Sequence, residues 1–171
     1  MTAKHRPVDP PFDDTLYERD YVEWAEAQAE AVGRLRDLRP AADVGIDHDN
    51  LIDEILDMAR SWRHAYESQI IQTMVHLLKL EHSPARDPRL HWRSEVTNHR
   101  LQARRRAAAA PSLRSRIDLR DLYADARKLA LIALEQDAVP ASTLPATCPY
   151  DLDTQILADG WFPGNRYGLL P

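Results

Sequence analysis

Apolar side chains recur every three to four positions through most of this chain, and that spacing predicts helices. Leu16, Tyr17, Trp24, Ala31, Leu35 and Leu38 fall on one stripe that Pro40 ends. Thr15-Leu16-Tyr17-Glu18 reads as a capping box, so the first helix is expected to open at Thr15. A second helix has Asp47 as its N-cap and keeps Leu51, Ile52, Ile55, Ala59, Trp62, Tyr66, Ile70, Met74, Leu77 and Leu80 on one face. Unbroken to His82, it would be roughly 50 Å long and serve as the spine for the others.

A third helix is expected from Asp87-Pro88, read as an N-cap followed by a first-turn proline, to about Ala110. Its apolar face is thin: Trp92, Val96, Ala103 and Ala107. A fourth covers about Asp118 to Gln136, and Ser112 to Ile117 add a short helical turn. From Ala138 onward prolines and glycines punctuate the chain. One short helix fits there, from Asp151 to about Ala158, with Gly160 near its end. No stretch alternates with period two, so no sheet is predicted. The expected fold is all-α: about four main helices with a Pro/Gly-rich C-terminal segment packed over them. Residues 1–12 are expected to be a flexible tail and 13–171 a single helical domain.

Composition changes the picture little. A chain of 171 residues, 44% hydrophobic and 29% charged, can bury a core without staples. Its longest apolar run, Leu129 to Leu134, is far too short for a membrane span, and residues 1–14 lack a signal-peptide core. The single cysteine, Cys148, forms no internal disulfide, which fits a reducing cytoplasmic location. We expect Cys148 to be buried or to serve in docking rather than to be reactive.

Charge is more telling. Residues 1–83 carry 9 Lys and Arg against 17 Asp and Glu, residues 84–120 carry 10 against 3, and the remainder 3 against 7. Such a split either pairs with itself on folding or meets a partner.

The ordered set of motifs resembles the bacterial family "domain of unknown function 29". It is carried by Tyr17-Glu18-Arg19-Asp20-Tyr21 with Trp24, by Leu51 to Ile55, and by His76-Leu77-Leu78-Lys79 followed by Pro84, Trp92-Arg93 and Arg100. Pro111-Ser112-Leu113, Leu144-Pro145 and Thr147-Cys148-Pro149-Tyr150 complete it, so it spans about residues 15–165. The chain departs from the family at Leu80 and His82, where Trp and Tyr are common, and at Ala103 and Ala107, where larger apolar residues are common. The resemblance implies an all-helical fold and no particular activity.

Three constellations carry candidate chemistry. The first is a polar cluster of Glu54, His76, Lys79 and Arg100, either a small-anion or proton-transfer site or a network that fixes helix register. The second is a face of Arg89, Arg93, Arg100 and Arg104, a footprint suited to anions or nucleic acid. The third is Glu23-x-x-Glu26 with Glu54-x-x-Asp57, similar to the paired carboxylates of all-helical nucleotide pyrophosphohydrolases, which hold Mg²⁺. With 27 acids in the chain such pairs also arise by chance, and Glu26 lies opposite the first helix's stripe. The histidines show no zinc motif, phosphate-loop and Rossmann glycine patterns are absent, and no cofactor is implied.

The expected function is therefore a non-enzymatic, self-associating interaction module. Ile71 and Leu78 lie off the second helix's main stripe, and Trp161, Phe162 and Leu169 crowd the tail, so all five need cover from the bundle or a partner. An anion or nucleic-acid binder, and then a Mg-dependent phosphohydrolase, are the alternatives.

Overall fold

A computed structural model describes residues 13–38 and 45–169. The expected tail over residues 1–12 and the stop at Pro40 lie outside them. The chain is all-helical, and no strand occurs among the described residues. Its helices are α1 (Leu16–Arg19), α2 (Tyr21–Leu38), α3 (His48–His82), α4 (Arg89–Ala109) and α5 (Leu119–Glu135). A 3₁₀ turn, Pro111–Ser115, links α4 to α5, and a second one (Ala141–Thr143) and a π-helical turn (Leu152–Ile156) interrupt the C-terminal strap, residues 136–169.

The spine expectation holds: α2, α4 and α5 each pack on α3. At 35 residues, α3 is about 52 Å long and runs without a break. Its side chains from Tyr66 to Leu80 supply the centre of the core, with Tyr66, Ile70, Met74, Leu77, Leu78 and Leu80 sealed from solvent. Small residues let its neighbours approach closely: Ala25 and Ala29 on α2, Ala103 and Ala107 on α4, and Ala126 and Ala130 on α5 are buried. Gly33 sits where an added Cβ would lie 3.7 Å from Ile52, at the α2–α3 contact.

Side-chain caps start three of the five α-helices. Asp47 accepts from the Asn50 N–H, and Asp118 from those of Arg120 and Asp121. The capping box at Thr15 does not form. The Thr15 hydroxyl donates to Asp13 Oδ1 instead, and α1 ends after one turn. The buried Asp20 then starts α2: its Oδ1 accepts from Val22 and Glu23 N–H, and its Oδ2 from Ser112 N–H at 2.7 Å. One carboxylate thus caps α2 and ties it to the α4–α5 turn. Nor does Asp87 cap α4. The helix begins at Arg89 with Pro88 in the cap position, without a side-chain cap bond.

The strap answers a need of α3. A helix ends with carbonyls that have no partner within it. Here the Leu80 carbonyl accepts from Arg89 Nη1 and Asn165 Nδ2, and the Glu81 carbonyl from the Arg166 N–H. Further back, Tyr123 Oη donates to the Pro145 carbonyl and Tyr150 Oη to Glu81 Oε2, both at 2.7 Å.

Candidate functional site

Where α3 crosses α4, His76 faces two residues one helical turn apart on α4, Glu95 and His99. One ligand atom from each of the three lies within 4.8 Å of the others. The His76 and His99 rings stack with centroids 5.9 Å apart, and His91 meets His76 edge-on at 6.5 Å. His99 Nδ1 lies 2.8 Å from Gln69 Oε1 on α3. That oxygen only accepts, so Nδ1 carries a proton, and in the neutral ring Nε2 keeps its lone pair. The lone pair belongs to the nitrogen that faces Glu95 Oε2, 3.5 Å away. His76 Nδ1 is sealed from solvent without a hydrogen-bond partner.

Burial, with Lys79, His99 and His91 close by, pushes the His76 imidazolium down to about 4. Burial also lowers His99, against the opposing pull of Glu95. Both rings are therefore neutral at pH 7, the form in which imidazole binds a metal ion. Among the described residues this is the one cluster of His, Cys, Asp and Glu arranged to hold an ion.

The polar cluster expected from the sequence is thus redrawn. His76 and Lys79 share the α3–α4 face, and the Lys79 ammonium lies 4.7 Å from the centroid of the Trp92 ring. Glu54 is exposed and 22 positions before His76 on the same helix, about 33 Å away along its axis. Arg100 points elsewhere: its guanidinium donates to the carbonyls of Ile156 (2.8 Å), Trp161 (2.8 Å) and Gln155 (2.6 Å).

The four-arginine face is also redrawn. Arg89 and Arg100 are buried, with carbonyl oxygens as partners. Arg93 lies over the Phe162 ring at 4.6 Å, and Arg104 pairs with Asp159. Arg93, Arg100 and Arg104 hold the strap to α4, and Arg89 ties α4 to the end of α3, instead of all four lining one open surface. The acidic quartet does not converge. Glu26 pairs with Arg116 at 2.5 Å, Glu23 lies 3.9 Å from the same guanidinium, and Asp57 pairs with Arg60.

Cys148 is half-buried, with its thiol raised by burial and bonded at 3.4 Å to the Tyr150 carbonyl. Of the apolar residues that needed cover, Leu78 is fully buried, and Trp161 and Phe162 pack against the core. Ile71 is half-buried and lines a groove between α3 and α5.

Residues 16–162 match the family described as domain of unknown function DUF29. The chain belongs to this family. The fold is shared with a crystal structure of an alpha-helical protein of unknown function from Rhodospirillum rubrum, at a TM-score of 0.74 and 26% identity, over 84% of this chain and 90% of that one. No curated protein matches. Within this DUF29 chain, sequence reasoning missed Glu95, His99 and Gln69 as neighbours of His76. The Glu95-x-x-x-His99 spacing was the available signal, since residues four apart share a helix face.

Proposed function

We propose that this DUF29 protein is a non-enzymatic interaction module that pairs with a second copy of itself through the groove between α3 and α5. The observation that carries the reading is apolar exposure beside a cavity. Leu129 and Ile132 on α5 are 43% and 64% exposed. Leu129 and Ile71 line a groove of 420 Å³. Its rim carries both signs, with Glu67 and Asp125 beside Lys128. A surface of mixed charge can face its own copy across a two-fold axis without net repulsion.

No helix among the described residues is long and apolar enough to cross a membrane, and the lone cysteine supports a cytoplasmic site of action. Anion or nucleic-acid binding through the arginines has less support, because Arg89 and Arg100 are committed to carbonyls. A Mg-dependent phosphohydrolase lacks a convergent carboxylate set.

Light scattering of the full chain tests the proposal. A mass of about twice 19.6 kDa is expected, and Leu129→Glu with Ile132→Glu should return it to one copy. A wild-type monomer at hundreds of micromolar would refute it.

A further inference from the structure

We infer that His76, Glu95 and His99 form a binding site for one zinc-class divalent ion, with an open coordination position toward solvent. Three independent features support it. The first is the donor set. Two imidazoles and one carboxylate are the ligands zinc and its first-row neighbours take, whereas magnesium and calcium prefer oxygen alone. The second is geometry. The donors lie within 4.8 Å of one another, and a tetrahedral ion with bonds of about 2.1 Å needs them about 3.4 Å apart, a rotamer-scale contraction.

The third feature is polarity without a partner. The Gln69 oxygen fixes the His99 tautomer, so a nitrogen lone pair and the Glu95 carboxylate face each other across 3.5 Å. Two electron-rich atoms so placed repel unless a proton or a metal ion lies between them, and the two compete for the same position. Gln69 is also the outer partner that a ligating histidine ordinarily has, orienting the ring and raising its basicity. His76 adds an imidazole whose Nδ1 has no hydrogen-bond partner. Glu95 supplies the one negative charge, so the loaded site carries a net positive charge beside Lys79.

His91 stands at the open side. It is largely exposed, and its Nδ1 is 4.0 Å from Glu95 Oε1. Rotation of that ring would provide a fourth nitrogen. Otherwise water or an anionic ligand fills the position.

The test is titration of the chelator-stripped full chain with Co²⁺ as an optical probe and Zn²⁺ as competitor. We expect one Co²⁺ per chain, the intense visible absorption of a low-coordinate site, displacement by Zn²⁺ and none by Mg²⁺. His99→Gln and Glu95→Gln should each weaken binding by more than tenfold, and Gln69→Leu by about tenfold through the outer shell. His64→Ala, which changes a residue of the α3–α5 groove, should leave it unchanged. Circular dichroism confirms that each variant is folded, and His99→Gln and Gln69→Leu provide two independent routes should one fail. Absence of Co²⁺ binding at millimolar ion, or binding that survives both His99→Gln and Glu95→Gln, overturns the inference.

Discussion

The guanidinium of Arg100, 1% exposed in the middle of α4, donates through Nε to the carbonyl oxygen of Ile156, 56 residues later in the chain. The Gln155 and Trp161 carbonyls take its other nitrogens, and the Phe162 ring lies 5.3 Å from its centre. Burial pulls its pKa down to about 10, still charged at pH 7. Arg100→Met removes three donors and leaves three carbonyls in a dry environment. We expect a loss of about 3–5 kcal/mol in urea unfolding. Arg100→Lys should recover little of it, because a single ammonium cannot replace a planar fork. Hydrogen exchange should show the strap amides around Leu157 opening first in either variant.

His82 contributes a pH dependence. It is buried at the end of α3, and neither ring nitrogen has a hydrogen-bond partner. Burial lowers its pKa, with Arg166 acting the same way and Glu81, 3.8 Å from Nε2, opposing them. The native ring therefore resists a proton that the unfolded chain accepts near pH 6.5. Stability from this group is present above that value and is lost as pH falls through it toward the lower native pKa. His82→Leu, of similar bulk and without orphaned nitrogens, should raise the melting temperature at pH 5 more than at pH 8. Equal shifts at the two pH values would rule out the titration and leave packing as the cause.

Cys148 should be slow to react. Its thiol is raised by burial and lies 3.9 Å from the Met74 sulfur, itself sealed in the core. Only the thiolate attacks an alkylating agent, and neither a cation nor a long helix start stabilises it here. Iodoacetamide at pH 8 should modify the native protein at least tenfold more slowly than the urea-unfolded chain. Comparable rates would show that the thiol is accessible and ionised.

The helices were legible because their apolar residues repeat with the helical period, as from Tyr66 to Leu80 on α3, and because Asp47 and Asp118 cap through backbone groups two or three positions away. What depends on distant chain was not legible. Thr15 fails as a cap because its backbone is already helical (φ −89°, ψ −11°) where a cap needs an extended residue, and α2 starts at Asp20 with help from Ser112, 92 residues away. The arginines of α4 share a face as expected, but a pattern of residue types does not show that carbonyls and an aromatic ring of the strap already occupy it. Glu54 lies at a similar angle to His76 around α3, but 22 residues of rise separate them. Glu95 and His99 match no zinc motif built on paired histidines, because the pair here is a carboxylate and a histidine.

The end of α5 offers a substitution that should stabilise the fold. Ala138 has φ of +55°, in the left-handed region where a Cβ crowds the following carbonyl. The surrounding bonds require that conformation. The Val139 N–H reaches the Leu134 carbonyl at 3.2 Å and the Ala138 N–H the Glu135 carbonyl at 3.1 Å, the paired bonds that close a helix when the residue between turns left-handed. Val139 and Leu134 are both buried, supplying the apolar contact that accompanies this closure, and the Ser83 hydroxyl holds Asp137 at 2.5 Å. Glycine adopts the conformation without strain but adds freedom to the unfolded chain, so the two effects oppose each other. Relief of about 1–2 kcal/mol exceeds an entropic cost of about 0.4–1 kcal/mol. Ala138→Gly should therefore stabilise the protein by about 0.5–1 kcal/mol in urea unfolding, and Ala138→Val should destabilise it by more than that. If glycine were destabilising here, the left-handed closure of α5 would be wrong.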